Sequence, residues 1–522
     1  MANPSPVHPN LAECAFLFFI WIVSNLVVRF LIKIICTNSS AKTRNPPSPR
    51  ALPIIGHLHL LSSKLPESLQ NLARRYGPLM QIRIGTSTTF VVASSATVTK
   101  EILKTHDIDF ASRFEFGPTE YNIYSGDGFV TCPNNTYWLF MKKLCMTKLF
   151  AGPQLDRFNH IREQEIQNLL KSLFKSSREG EACDLAMELT TLTNNLLCRM
   201  ALSKRCSENA EGAKEVRKLI VEIMQLGAKL GVNEALGPLK KFDLFGNGKK
   251  LVEAMWRYDE LFEQIIKEYE DEIVDGHGKE DQADLMSIVL EIYKNTNAEV
   301  KLTRNQIKFF FMEIFMASID TLTAAIQWAM AELINHPQPF KRLREEINTV
   351  VGSNRLVKES DVPNLPYLQA VVKETLRLHS PVPLIHRECT KDCTINGFHV
   401  RAKSKVLINV YAIMRDPEQW NDPDEFLPER FFINSNDKLG QHDHMEMKGQ
   451  DFHYLPFGGG RRGCIGGTHA LLVTHVTLGA LTQCFDWKVK GGEKIDINVG
   501  SGFSGAVPLP LVCYPIARFD PF

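Results

Sequence analysis

The longest apolar pattern in the chain lies between Thr303 and Asn335, and it is a helical pattern without a polar face. From Phe309 to Ile326 the side chains are apolar nearly all round, as in a helix that runs through a protein core. Thr303-Arg304-Asn305-Gln306 gives the start signal, a capping box in which the threonine caps and the glutamine reaches back. His336-Pro337 gives the stop. The spacing predicts a helix of about 32 residues, roughly 48 Å long. Glu313, Asp320, Gln327 and Glu332 interrupt it. Such groups are costly in lipid, so the pattern predicts a core helix and not a membrane span.

Other periodicities surround this helix. Residues 155–295 are charged and leucine-rich with few breakers before Gly227, which predicts further helices. Met80–Ile84 and Thr88–Ala93 are β-branched runs on either side of a Gly85 turn and predict short strands. Arg113 to Val130 is rich in Gly, Tyr and Phe and has no helical period, so it reads as a loop. Thr468 to Cys484 is helix-compatible. The alternation over Asp486–Val489 and the proline-rich tail after it read as strands and turns.

At the N-terminus, Cys14 to Cys36 is an apolar run near the ~20 residues that cross a bilayer as a helix. Asn25, Arg29 and Lys33 interrupt its second half, where long basic side chains can snorkel to the interface. No basic stretch precedes the run and no small-residue cleavage site follows it, which disfavours a signal peptide. Glu13 lies before the run, whereas Lys33, Lys42, Arg44 and Arg50 lie at or beyond its end. The positive-inside rule therefore places the remaining chain in the cytosol. The proline-dense segment Pro46-Pro47-Ser48-Pro49-Arg50-Ala51-Leu52-Pro53 cannot continue a helix and makes a semi-rigid spacer. The boundaries this implies are an anchor over 1–36, a linker and hinge over 37–56, and one large domain over 57–522.

Composition narrows the function. An apolar content of 44% in 522 residues is enough for a large core. A net charge of +1 offers no broad electrostatic surface for nucleic acid. The 12 cysteines show no CxxC or zinc-like spacing, and read as mostly reduced thiols in a cytosol-facing compartment. His442-Asp443-His444 lies in a polar loop and does not read as a metal site.

The chemistry concentrates in Phe457 to Gly467, FGGGRRGCIGG. Its six glycines permit positive φ and close approach to a bulky flat ligand. Cys464 stands just before a predicted helix, whose free N–H groups and dipole favour the thiolate. A thiolate is the axial ligand that pushes electron density onto haem iron. A phosphate loop would need Gly-Lys-Ser/Thr, which is absent here. In the middle of the long helix, Asp320-Thr321 sets an acid beside a hydroxyl, a pair able to relay protons through water. Glu374 and Arg377 are three apart, and Trp138 and Lys142 four apart, so each pair shares a helical face. Taken alone, these two pairs read as ordinary surface or core contacts.

The pattern Phe457-x-x-Gly460-x-Arg462-x-Cys464-x-Gly466 resembles the haem-binding loop of the cytochrome P450 monooxygenases. Other stretches resemble the same family in the same order: the proline hinge, Trp138-x-x-x-Lys142, Ala317-Ser318-Ile319-Asp320-Thr321, Glu374-x-x-Arg377 and Pro428-Glu429-Arg430-Phe431. The resemblance implies a mainly helical P450 fold with a minor sheet. It makes Cys464 the iron ligand of haem b, with Phe457 packed against the thiolate. Arg462, Trp138, Lys142 and Arg387 become propionate partners, and Gly466 part of the haem loop. Asp320 and Thr321 become the proton-delivery pair, and Glu374, Arg377 and Arg430 a structural network. Phe114, Ala317, Leu384 and Ile385 become candidate substrate contacts, and Gly502–Val507 a last pocket loop.

Four positions depart from the usual pattern: Lys142 replaces an arginine and loses its bidentate fork, Ser318 replaces a glycine, Leu322 replaces the second hydroxyl common after the threonine, and Ile465 replaces a common proline. The resemblance further implies dioxygen as co-substrate and electrons from NADPH through a separate cytochrome P450 reductase, with cytochrome b5 a further partner. It implies a single-pass location in the endoplasmic reticulum membrane. In style the chain is similar to the plant P450s of specialised metabolism, near those that oxidise flavonoids or pentacyclic triterpenes. The expectation is oxidation of a friedelin-type methyl group to alcohol, aldehyde and acid. A flavonoid oxidase is the second expectation, and a haem-thiolate isomerase or dehydratase the third.

Overall fold

The computed structural model describes residues 44–522 except 87, 115–120, 206–210, 233–242, 244, 275–283, 298, 433–450, 490, 493 and 496–510, together with Ile20, Trp21 and Ser24. The anchor, residues 37–43 of the linker, the 442–444 cluster and the 502–507 loop thus fall outside the described residues, those three positions apart.

The central helix spans Arg304–Asn335. Its capping box is formed as the sequence predicts, Gln306 N–H donating to Thr303 Oγ1 at 3.1 Å and Thr303 N–H to Gln306 Oε1 at 3.0 Å. Its carboxylates and amides do not face lipid, because helices pack around it. They are Leu185–Leu202, Glu211–Val232, Asn247–Val274, Pro366–Leu378 and Gly467–Cys484. Polar contacts set its rotation as well as apolar ones. Thr193 and Thr323 hydroxyls meet at 3.0 Å, and Tyr258 OH donates to the Lys308 carbonyl at 2.9 Å. Lys308, buried on the same helix, is neutralised by Asp259 at 2.8 Å and Glu263 at 2.9 Å.

The β structure is minor. Strands β1 (Leu79–Ile84) and β2 (Thr88–Ala93) form the predicted hairpin, one residue longer at its start. The remaining strands are β3 (Cys183–Asp184), β4 (Leu384–Glu388), β5 (Cys393–Ile395), β6 (Phe398–Val400), β7 (Lys405–Asn409), β8 (Phe485–Val489) and β9 (Val512–Ala517). The main sheet has the order β1-β2-β7-β4, with β2 parallel to β7 and the other pairs antiparallel. Along β4 the two-residue period divides the side chains between the faces. Leu384 joins Phe90, Phe114 and Leu407 in one core, whereas Ile385 joins Val406 and Ile408 in another. Eight described cysteines are free and Cys198 is in a disulfide.

A buried ionic knot holds the helix Pro366–Leu378 to the Pro428–Phe431 turn. Glu374 and Arg377 are both fully buried. Arg377 forks onto Glu374 at 2.7 and 2.9 Å, and Arg430 Nε donates to Glu374 Oε1 at 3.0 Å. Further guanidinium N–H groups donate to the carbonyls of Met414, Pro423, Glu425, Asn421 and Asp422. Such hydrogen bonding is what allows three charges to sit in a core.

Candidate active site

The loop 457–467 is shaped by close approach. Gly458 and Gly460 have φ of 70° and 68°, the left-handed region that glycine adopts without penalty. A Cβ at Gly460 would lie 2.5 Å from Asp107 Oδ1 and 2.7 Å from the Leu103 carbonyl, so only glycine seats the loop there. Arg461 N–H donates to Asp107 Oδ1 at 3.0 Å, and Cys464 N–H closes the loop on the Phe457 carbonyl at 3.0 Å. The helix then starts at Gly467, whose Cα side faces the Phe457 ring.

Cys464 is accessible by surface, yet burial is the main influence on its thiol and pushes its pKa up. The N–H of Gly466, the charge of Arg113 and the N–H of Gly467 oppose this and favour the thiolate. A side chain both accessible and desolvated faces an internal cavity. The central helix shows the same signature: Ala317 is exposed and Met316, Ser318, Asp320 and Thr321 are half-buried, while the turns on either side are buried. Thr321 Oγ1 donates to the Ala317 carbonyl at 2.7 Å, a back-bond that bends helices. Burial raises the Asp320 carboxyl, and Arg217, on the helix Glu211–Val232, opposes that.

Three guanidiniums converge beside this cavity. Arg462 donates to the carbonyls of Ala111 at 2.5 Å, Phe129 at 3.2 Å and Cys132, and lies over the Trp138 ring at 4.2 Å. Arg113 donates to the carbonyls of Val130 and Arg462, both at 3.4 Å. Arg387, almost wholly buried, donates to the His386 carbonyl at 2.8 Å. Among the described residues none of the three forms an ion pair, and Arg113 Nε is buried without a partner. Burial lowers the pKa of each, Arg462 to about 10, and each is lowered further by at least one of the others or helps lower another. Clustered buried cations of this kind require anions. Lys142, four residues from Trp138 on the helix Thr136–Leu144, donates to the Arg461 carbonyl.

A sulfur donor at a helix N-terminus, a cavity beside the central helix and a cationic rim fit one prosthetic group, a haem with two propionates. The fit rests on the unpaired guanidiniums and on the glycine cradle.

Phe114 and Leu384 are only 3% exposed and fill the core of the main sheet, with Phe114 5.7 Å from Phe90. Ile385 packs near Gly458, beneath the cysteine loop, and Ala317 lines the cavity. Two residues were missed. Arg113 stands in Ala111-Ser112-Arg113-Phe114, where no local pattern marks it. Glu313 carried a signal, since an acid in an all-apolar helix needs partners. It has them in the N–H groups of Phe129 at 2.7 Å and Val130 at 3.0 Å.

Burial raises the Glu313 carboxyl to about 7; the Val130 and Phe129 N–H groups and Arg113 oppose it. Arg462, Cys132, Tyr137 and Cys145 also sense this group. A raised acid binds its proton more tightly in the folded state, so it costs stability as pH rises from its unfolded value, 4.5, through about 7. Denaturant titrations at pH 5 and 8 should show this loss, about 2–3 kcal/mol, shrinking in Glu313→Gln. An equal loss in both proteins would contradict the assignment.

Comparison with known proteins agrees with the class that fold and site define. A family model described as Cytochrome P450 matches residues 46–513. The chain is 41% identical to 3,9-dihydroxypterocarpan 6A-monooxygenase of Glycine max over 511 residues, which is 96% of this chain and 98% of that protein. It is 39% identical to Beta-amyrin 24-hydroxylase of Glycine max over 515 residues, 97% and 98% of the two chains. A zebra fish cytochrome P450 structure with progesterone superposes with a TM-score of 0.70 at 22% identity, covering 87% of this chain and 97% of that one, and so shares the fold. The chain belongs to the cytochrome P450 family. It is a monooxygenase, an oxidoreductase, of a family whose members typically depend on a reductase.

Proposed function

We propose that Cys464 would hold the iron of haem b, and that Arg113, Arg387 and Arg462 would take its propionates, with Trp138 stacked behind Arg462 and Lys142 bracing the loop. The accessible yet desolvated thiol at the start of the Gly467–Cys484 helix carries this reading. When bound, the haem supplies the activation of dioxygen that inserts one oxygen atom into a C–H bond. The chain's own residues bind, exclude water and move protons. Asp320, its carboxyl raised by burial, is the acid that would pass protons toward Thr321. Thr321 Oγ1 spends its own proton on the Ala317 carbonyl, which leaves its lone pairs open to a proton donor in the cavity. Ser318 adds a second hydroxyl on the half-buried surface. Thr321→Ala should leave NADPH oxidation running while product per NADPH falls on the order of tenfold or more. Unchanged coupling would remove Thr321 from the relay.

The substrate proposed is a pentacyclic triterpenoid of the friedelin type, a methyl group being oxidised through alcohol and aldehyde to acid. The full-length similarity to a protein named for hydroxylating beta-amyrin is in keeping with a triterpenoid, and the friedelin type is this reading's own choice within that class. A flavonoid-derived polycycle is the second reading, favoured by the pterocarpan-named relative. Yeast carrying this chain and a plant reductase would receive flavanones in one strain and make friedelin in another. Oxygenated triterpenes alone support the first reading, and products from flavanones alone replace it with the second. The organisation proposed is a membrane anchor over 1–36, a linker and hinge over 37–56 and a catalytic domain over 57–522. The domain would face the cytosol at the endoplasmic reticulum, where NADPH–cytochrome P450 reductase and cytochrome b5 would meet it.

A further inference from the structure

Glu313 stands eight residues before Thr321 on the central helix, two turns along the stripe that passes through Ala317. It is buried, and among the described residues its carboxylate forms no ion pair. Both oxygens accept backbone N–H groups, Oε2 from Phe129 at 2.7 Å and Oε1 from Val130 at 3.0 Å. The peptide carbonyls of the same turn accept the guanidiniums: Phe129 and Val130 from Arg462, Val130 from Arg113, and Cys132 from Arg462. One short turn therefore carries a carboxylate on its N–H side and two arginines on its carbonyl side. The seat is tight. A Cβ at Gly128 would lie 2.6 Å from Thr131 Oγ1, 2.7 Å from the Phe309 ring and 2.8 Å from Glu313 Oε1.

We propose that Glu313 is a positioning residue for the cofactor: by holding the 128–132 turn it aims Arg113 and Arg462 at the haem propionates. This rests on the propionate assignment made above for the two arginines. Hydrogen bonds to an ionised acceptor are about twice as strong as neutral ones, so one carboxylate can fix a turn that has no regular secondary structure. The same charge offsets part of the mutual repulsion of the arginines, whose pKa values each register Glu313. A carboxyl pushed up by burial and still retained is a costly feature, in keeping with a role beyond packing.

The test is haem transfer from the ferric holoenzyme to apomyoglobin, measured for wild type, Glu313→Gln, Arg462→Gln, Arg113→Gln and the double variant Glu313→Gln/Arg462→Gln. The proposal predicts transfer about tenfold faster in Glu313→Gln, a reduction potential shifted downward as cationic charge moves off the propionates, and a carbon monoxide complex still of thiolate type. Since Glu313 acts through Arg113 and Arg462, Glu313→Gln should accelerate loss less in the Arg462→Gln background than in wild type. A wild-type rate in Glu313→Gln, or additive acceleration in the double variant, would overturn the proposal. Wild-type rates in both arginine variants would overturn the propionate assignment instead. Should Glu313→Gln fail to fold, Glu313→Asp keeps the charge and withdraws the acceptor by one methylene. An intermediate rate is then expected, and a wild-type rate overturns the proposal.

Discussion

Replacing Cys464 by alanine should abolish monooxygenation, by at least the hundredfold that separates a detectable from an undetectable product, and remove the thiolate-type band of the reduced carbon monoxide complex. The reason is electronic. A thiolate pushes electron density onto the iron and favours O–O cleavage, and no other described side chain shares the position of Cys464. The loop prepares that thiolate at some cost, since burial raises the thiol while the Gly466 and Gly467 N–H groups and Arg113 bring it down. Alanine keeps the backbone of the loop, including the Cys464-to-Phe457 closure, so loss of the band reports on the sulfur and not on folding. An unchanged band would mean that another residue ligates the iron.

The second large effect lies in the buried knot. Glu374→Gln should leave Arg377 and Arg430 buried with no countercharge, a change worth about 3–5 kcal/mol, and most of the protein should fail to accumulate folded. All the groups involved are at least nine-tenths buried, so solvent cannot screen them. Lys341→Ala, which removes an exposed pair with Glu345, should leave the denaturant midpoint unchanged and serves as the control. A Glu374→Gln protein with the wild-type midpoint would show that the knot contributes nothing to stability.

These expectations differ in how far the sequence alone reached. The central helix was legible to its ends because a capping box, an apolar middle and a His-Pro stop are all local signals. The cysteine loop was legible because its glycines, arginine and cysteine fit into 11 residues. The cationic rim was not. Arg113 meets the Arg462 carbonyl across 349 residues, and Glu313 meets Phe129 across 184, distances at which no periodicity survives. Phe114 and Leu384 show the same limit from the other side, since an apolar residue near a predicted pocket fits a core equally well and no local pattern separates the two.

The measurement that tests the account most directly is isotope tracing with the purified protein, its reductase and NADPH under ¹⁸O₂. Friedelin and a flavanone would be supplied in turn. The account predicts a first product carrying one oxygen atom from ¹⁸O₂ and none from labelled water, formed only when the reductase is present. A product that forms without oxygen from ¹⁸O₂, or without the reductase, would contradict monooxygenation and return the chain to the isomerase or dehydratase reading.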